Sequence, residues 1–230
     1  MIQGKTIFIF IGPPGAGKGS LSRLCVKKLG WSQLSTGDLC RKHMSEGTKI
    51  GKCIDFAMKS GKLVADGLVV EMVDQWLSSR FTKKDAVILD GFPRTVPQAE
   101  AFGELLHKKF KLSNVSIIRM CLDDEKVVER LTGRFICKND TCQEVYSVVE
   151  GSSLAPKVAM VCDECSCGLV RRADDSEHFV RDRLETYHRH EGVLLDFYRR
   201  QGQEVKDFFV DKALSSVFRE FKAFVGLGDE

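Results

Sequence analysis

The stretch Gly12 to Ser20 reads GPPGAGKGS. Its residue types suit the binding of an anion. Glycines let the chain bend until successive main-chain N–H groups point inward, and a helix beginning just after them adds the positive end of its dipole. Lys18 supplies a mobile full charge. The spacing from Gly12 to Gly17 and Lys18 fits GxxxxGK, the pattern of a phosphate-binding loop, although Gly19 stands where Ser or Thr usually follows and Ser20 comes one later. A second chemical grouping lies further on. Cys137, Cys142, Cys162, Cys165 and Cys167 crowd into one segment of a chain with nine cysteines. In a reducing compartment that crowding points to a metal rather than to disulfides. Cys25, Cys40, Cys53 and Cys121 lie in apolar segments and are expected to be ordinary core thiols. His188 and His190 are two apart on a helix and face different ways, so the histidines make no metal pair.

These groups need a scaffold that holds them still. Thr6-Ile7-Phe8-Ile9-Phe10-Ile11 is an apolar run of the kind buried on both faces of a parallel sheet, and it leads straight into the glycine-rich loop. After the loop, Leu21 to Leu29 carry apolar residues at helical spacing. The same alternation recurs. Ala86 to Leu89 lead to Asp90-Gly91-Phe92-Pro93-Arg94 and a helix starting near Pro97. Val115 to Leu122 lead to Asp123, an expected helix N-cap, and Val205 to Val210 precede a last helix. A short strand near Gln33-Leu34-Ser35 makes five. Repeated strand–helix units imply an α/β fold, a five-stranded parallel sheet flanked by helices. Ligands of such sheets bind at the carboxyl ends of the strands, so the glycine loop and the segment Asp90 to Arg94 are expected to share one cleft.

Two stretches stand outside the alternation. Residues 35–64 read as purely helical, and residues 132–173 hold the cysteine cluster with strand-like pieces such as Glu144 to Val149. Both read as insertions over the rim of the cleft. The expected division is therefore a core of 1–34, 65–131 and 174–230, with 35–64 and 132–173 inserted into it. From Asp174 to about Arg200 a long helical pattern returns.

Composition excludes several classes. A net charge of +3 over 230 residues is too mild for a nucleic-acid partner. No run approaches the roughly 18 apolar residues of a membrane span, and the opening MIQGKTIFIF reads as strand rather than as a targeting segment. The expectation is a cytoplasmic protein that binds small molecules.

Taken in order, the motifs resemble the adenylate kinase family from Thr6 to about Lys212. The pieces are GPPGAGKGS, Ser35-Thr36-Gly37-Asp38 with Arg41, Gly61-Lys62-Leu63-Val64, Asp90-Gly91-Phe92-Pro93-Arg94-Thr95 with Gln98, Arg130 and Arg134 in ERLTGR, Arg172 in RRADD, and Arg183 in VRDRLETYH. The resemblance implies a P-loop NTPase core, an AMP-binding insertion at 35–64 and a lid at 132–173. It also implies an ATP:AMP phosphotransferase, a monomer moving a phosphoryl group reversibly from Mg-ATP to AMP to give two ADP. By the same resemblance Gly15, Ala16, Gly17, Lys18, Gly19 and Ser20 hold the donor's phosphates, and Arg130 stacks on its adenine. Arg134 and Arg172 close from the lid. Thr36, Arg41, Lys62, Val64, Gly91, Arg94 and Gln98 shape the AMP site, and Arg183 lies between the nucleotides. Lys18, Arg94, Arg134, Arg172 and Arg183 are then the catalytic cations, with Asp38 and Asp90 near Mg²⁺, expected to be bridged to it by water because the ion dehydrates reluctantly. The chemistry suits arginine, whose planar fork donates paired hydrogen bonds to phosphate and stays protonated.

Family members with a metal-bearing lid carry two C-x-x-C knuckles. Cys162 and Cys165 fit, whereas Cys137 and Cys142 enclose four residues, and Gln143 replaces the glycine that usually follows. The expected ligands of a structural Zn²⁺ are Cys137, Cys142, Cys162 and Cys165, with Cys167 as a spare that could substitute for one of them; a metal-free lid of reduced thiols is the alternative. Two other functions remain on the table at this point: a phosphotransferase using GTP as donor, and a zinc-ribbon binding module on a degenerate nucleotide fold.

Overall fold

The computed structural model describes residues 5–59, 64–80, 86–111, 114–139 and 141–228. Its centre is a five-stranded parallel sheet, as the strand–helix alternation requires. The strands are β1 (Thr6–Ile11), β2 (Ser32–Ser35), β3 (Ala86–Asp90), β4 (Asn114–Cys121) and, numbered in chain order, β8 (Val205–Phe209). They lie in the order β2-β3-β1-β4-β8, with every neighbouring pair parallel. All six residues of β1 are buried. The pleat sends Ile7, Ile9 and Ile11 into one hydrophobic layer and Phe8 and Phe10 into the other. The first layer is completed by α4 (Asp66–Arg80), α5 (Val96–Lys109) and α7 (Glu177–Arg200), through residues such as Val73, Phe102 and Leu194. The second is completed by α1 (Lys18–Leu29) and α8 (Leu214–Phe224), where Phe221 meets Phe10 edge-on at 5.5 Å.

Local signals set the helix ends. Thr95 caps α5 by accepting the Gln98 N–H, and Pro97 occupies its first turn. Asp123 caps α6 (Asp124–Thr132), and Gly30 ends α1 in the left-handed conformation. Register then brings three strand ends together, because Asp90 pairs with Phe10 on one side and with Ser35 on the other. The loops that follow β1, β2 and β3 therefore open on the same rim.

Two smaller units rise from that rim. Helices α2 (Thr36–Ser45) and α3 (Lys49–Lys59) pack closely; a methyl group at Gly51 would meet the His43 carbonyl oxygen at 1.9 Å. The other unit is a three-stranded antiparallel sheet, β6-β5-β7, made of β5 (Arg134–Cys137), β6 (Val145–Ser147) and β7 (Leu169–Val170).

Two expectations need correction. Of the four cysteines read as core thiols, only Cys25 is buried; Cys40 and Cys121 are half-buried and Cys53 is exposed. Gly51 and Ile54 form the inward face of α3, and helical spacing turns Cys53 away from it. The helical pattern expected from Asp174 begins as a 3-10 turn, Ala173–Asp175, and α7 itself starts at Glu177. The reason lies in Asp175, whose buried carboxylate is engaged by Arg134.

Candidate active site

The loop after β1 turns sharply at Gly17, whose φ of 84° is open to glycine at little cost, and α1 begins at the next residue. Ala16 is buried beneath the loop, while Gly15, Gly19 and Ser20 lie half-buried around it. Lys18 curls back, its Nζ donating to the carbonyls of Gly12 and Pro13, both at 2.7 Å. Burial pushes the Lys18 ammonium down to about 8; the Asp90 carboxylate opposes that fall, and Arg94, Arg183 and Arg134 deepen it. A lysine crowded by three guanidinium groups marks a place short of negative charge.

The arginines make that deficit larger. Arg134 donates to Asp175 through Nε at 2.8 Å and Nη2 at 2.5 Å. Arg183 donates to Asp174 at 2.9 Å and stands 3.8 Å from Asp175. Arg41 pairs with Asp38, and Arg172 reaches the same carboxylate at 3.9 Å. Arg94 is exposed, its Nε bonded to the Gly91 carbonyl at 2.8 Å. Burial lowers Arg172 to about 10, with Arg134 and Arg41 pushing the same way. Displacement of water by the surrounding protein also lowers Arg183 and, although part of its surface is open to solvent, Arg94, against the opposing pull of Asp174 and Asp90 respectively. So Lys18 and five arginines from both rim units, α7 and the β3 loop feel one another across one cleft. Arg130 does not join them. It donates to the Val210 carbonyl at 2.8 Å and lies 3.8 Å from Asp211, to one side.

Besides Asp174 and Asp175, two more carboxylates, Asp90 and Asp38, face this group. Burial raises Asp90 while Lys18 lowers it and Asp38 raises it further; Gln33 Nε2 donates to its Oδ2 at 3.4 Å. For Asp38 burial pushes upward, but Arg41 and the Ser35 hydroxyl hold it below the usual carboxylate range. Next to them, Thr36 is buried and donates to the Gly91 carbonyl at 2.9 Å. Gly91 takes a φ of 78°, and a methyl group there would press on Arg94 and Thr36 at 3.0 and 3.1 Å. Gln98 is only 3 % exposed, and Val64 packs against the sheet layer that includes Phe92. Lys62 lies outside the described residues.

The small sheet gathers the cysteines. The sulfur atoms of Cys137, Cys142, Cys162 and Cys165 all lie within 4.8 Å of one another, with Cys137 to Cys165 at 3.3 Å and Cys142 to Cys162 at 3.7 Å. Thiolates about 2.3 Å from a tetrahedral ion stand roughly 3.8 Å apart, so this donor set fits Zn²⁺. The wide first knuckle closes because Gln143 adopts φ 50°, taking the left-handed turn that a glycine would make, and Ser166 does the same after Cys165 at φ 59°. Tyr146 braces the second knuckle, its hydroxyl 3.4 Å from Cys162 Sγ and accepting the Asp163 N–H at 2.7 Å.

Sequence reasoning missed Asp175, Asp174, Asp66 and Arg23. The first two come one alanine after Arg172 in RRADD, and two acids near two arginines were the available signal. Arg23 Nη1 comes within 3.9 Å of where a Gly19 side chain would stand, beside Asp90. Arg119, Arg181, Arg189 and Arg199 stand in ion pairs of their own, with Glu191, with Glu125 and Glu177, with Glu185 and with Asp196.

Comparison with known proteins agrees with this geometry. The family model described as adenylate kinase matches residues 10–203. An adenylate kinase of Archaeoglobus fulgidus is 38% identical over 217 residues, covering 94% of this chain and 96% of the relative. One from Streptomyces avermitilis is 41% identical over 198 residues, with 84% and 86% covered. Another, from a Geobacter species, is 41% identical over 195 residues, with 84% and 87% covered. A glycine-rich loop of the GxxxxGK pattern, a cleft ringed by guanidinium groups and this extent of likeness lead to one conclusion: the chain belongs to the adenylate kinase family.

Proposed function

We propose that this protein transfers the terminal phosphoryl group of ATP reversibly to AMP, giving two ADP. The observation that carries the reading is the convergence of Lys18, Arg41, Arg94, Arg134, Arg172 and Arg183 on one cleft with too few carboxylates to balance them. Phosphoryl transfer through a loose transition state asks mainly for positioning and for cations around the equatorial oxygens. Two polyanions also have to be held end to end against their own repulsion, and these side chains supply the opposing charge.

In this reading the loop N–H groups of Gly15 to Ser20 and the Lys18 ammonium take the donor's β- and γ-phosphates. Lys18 then leaves the Gly12 and Pro13 carbonyls for a true anion. Arg41 and Arg94 clamp the acceptor phosphate, with Thr36, Gly91, Val64, Gln98 and Lys62 forming its pocket. Arg183, Arg134 and Arg172 surround the phosphoryl group in flight, and the unit carrying Arg134 and Arg172 serves as the lid that excludes water. Arg130, off the main cluster, flanks the donor base. Asp90 and Asp38 would hold Mg²⁺ through water, and the ion neutralises phosphate charge. Cys137, Cys142, Cys162 and Cys165 would hold Zn²⁺ as a closed structural site within the lid. The division into core (1–34, 65–131, 174–230), acceptor insertion (35–64) and lid (132–173), a monomeric state and a reducing cytoplasmic setting belong to the same proposal. Among the described residues no helix is long and apolar enough to cross a membrane.

The test is ADP formation from purified protein and Mg²⁺, with ATP or GTP as donor and AMP, CMP or UMP as acceptor. ATP with AMP should be the fastest pair. Equal or faster turnover with GTP would replace the proposed donor, and AMP-independent release of phosphate would overturn the transfer.

A further inference from the structure

Asp66 opens α4, where the chain returns from the two-helix unit. Its Oδ1 accepts from Gln98 Nε2 at 2.7 Å and from the Thr95 hydroxyl at 3.0 Å. Thr95 in turn accepts the Gln98 main-chain N–H at 3.3 Å. At the other end of the same amide, Gln98 Oε1 accepts the Arg94 main-chain N–H at 2.8 Å. A carboxylate only accepts and a main-chain N–H only donates, so the two partners fix which end of the amide carries oxygen. Each end keeps spare capacity, one N–H on nitrogen and one lone pair on oxygen. Adenine offers an amino donor beside a ring-nitrogen acceptor, and only an amide held in one sense meets both.

We propose that Asp66 is a positioning residue for the acceptor side, holding the Gln98 amide in the sense that reads adenine and steadying, through that amide, the main chain that carries Arg94. The inference rests on the assignment of Gln98 to the acceptor base. It extends that assignment to a residue 32 positions away in sequence that nothing in the phosphate-binding motifs singles out. The bonding is economical: one carboxylate oxygen fixes a base reader, a helix cap and, one step further, the backbone of a phosphate clamp.

Inosine monophosphate is the probe. It has the outline of AMP but reverses the edge, with a carbonyl acceptor beside a ring N–H donor. Steady-state kinetics on D66A, D66N and Q98A, with AMP and inosine monophosphate as acceptors, separate the possibilities. D66A should raise the KM for AMP roughly tenfold and cut the preference for AMP over inosine monophosphate by a similar factor, within the range of discrimination that a paired amide–base contact provides. The KM for ATP should stay where it is. D66N keeps an acceptor oxygen and should restore most of both effects. If D66A does not fold, D66S, too short to reach the amide, carries the same test. A D66A protein that melts earlier but keeps the AMP KM and the acceptor preference overturns the inference and leaves Asp66 as a structural cap. Q98A with unchanged acceptor preference refutes the assignment of Gln98 to the base, and the inference with it. Q98A that loses the preference while D66A keeps it overturns the inference alone.

Discussion

Replacement of Asp175 by Asn should cost stability on a scale that the geometry allows to be worked out. The Asp175 side chain has no solvent exposure and that of Arg134 only 15 %. The pair is joined by two hydrogen bonds, at 2.8 and 2.5 Å, and Arg183 stands 3.8 Å away. Asn leaves one acceptor oxygen for two donors and leaves the Arg134 guanidinium without its carboxylate, while Arg183 keeps Asp174 at 2.9 Å. Breaking a buried ion pair by removing one partner costs about 3–5 kcal/mol. Arg134 retains some contact with water, so the lower end applies, about 3 kcal/mol. For a chain of this size each kcal/mol moves the melting temperature by roughly 2–4 °C, which gives a loss of roughly 6–12 °C. Scanning calorimetry of D175N and of the double variant R134M/D175N measures it. The double variant carries no unpaired charge at this site and should recover most of the loss, because an apolar replacement of a buried pair is often neutral. A D175N protein melting within about 1 °C of the parent, where each degree is worth a fraction of a kcal/mol, refutes the account of this ion pair.

Other outcomes follow from the same cleft. R94A and K18M should each lower turnover by about two orders of magnitude or more while circular dichroism stays that of the parent, since removal of one preorganised charge at a transition state costs on that scale; near-parental rates would remove the residue from the machinery. Lys18, held down to about 8 in the free protein, is partly deprotonated near that pH. Phosphate favours its charged form, so ATP binding at pH 8 should take up protons and affinity should fall as pH rises through that value; calorimetry in buffers of different ionisation enthalpy that shows no proton uptake would contradict it. Purified protein should contain about one Zn²⁺ per chain, and its removal should expose the region around Tyr146 to proteolysis before the sheet core unfolds; less than about half an equivalent by elemental analysis contradicts the four-thiolate site.

What could be read in advance was local. β1, the glycine loop and α1 announce themselves because apolar runs, glycines and helical spacing act within a few residues. Asp123 and the start of α5 near Pro97 were legible for the same reason. The three strands ending on one rim followed from the parallel sheet, which fixes where loops emerge. What escaped was the work of acids whose partners are distant. Asp175 meets Arg134 across 41 positions and Asp66 meets Gln98 across 32, and neither acid's partner can be named until the chain is folded. The exposure of Cys53 escaped because an apolar stretch does not say which side of a helix faces in. The first cysteine knuckle escaped in part, because a glutamine can adopt a left-handed turn when surrounding hydrogen bonds hold it there.

The central claim is that one cleft holds two nucleotides with their phosphates end to end. Isothermal titration with a single ligand carrying two adenosines joined by a polyphosphate bridge tests it most directly. The account predicts one molecule bound per chain, with an affinity exceeding that for ATP by a factor of about 10²–10⁴, the gain expected when two sites are spanned by one linker. Binding no tighter than that of ATP alone, or two molecules per chain, would contradict it.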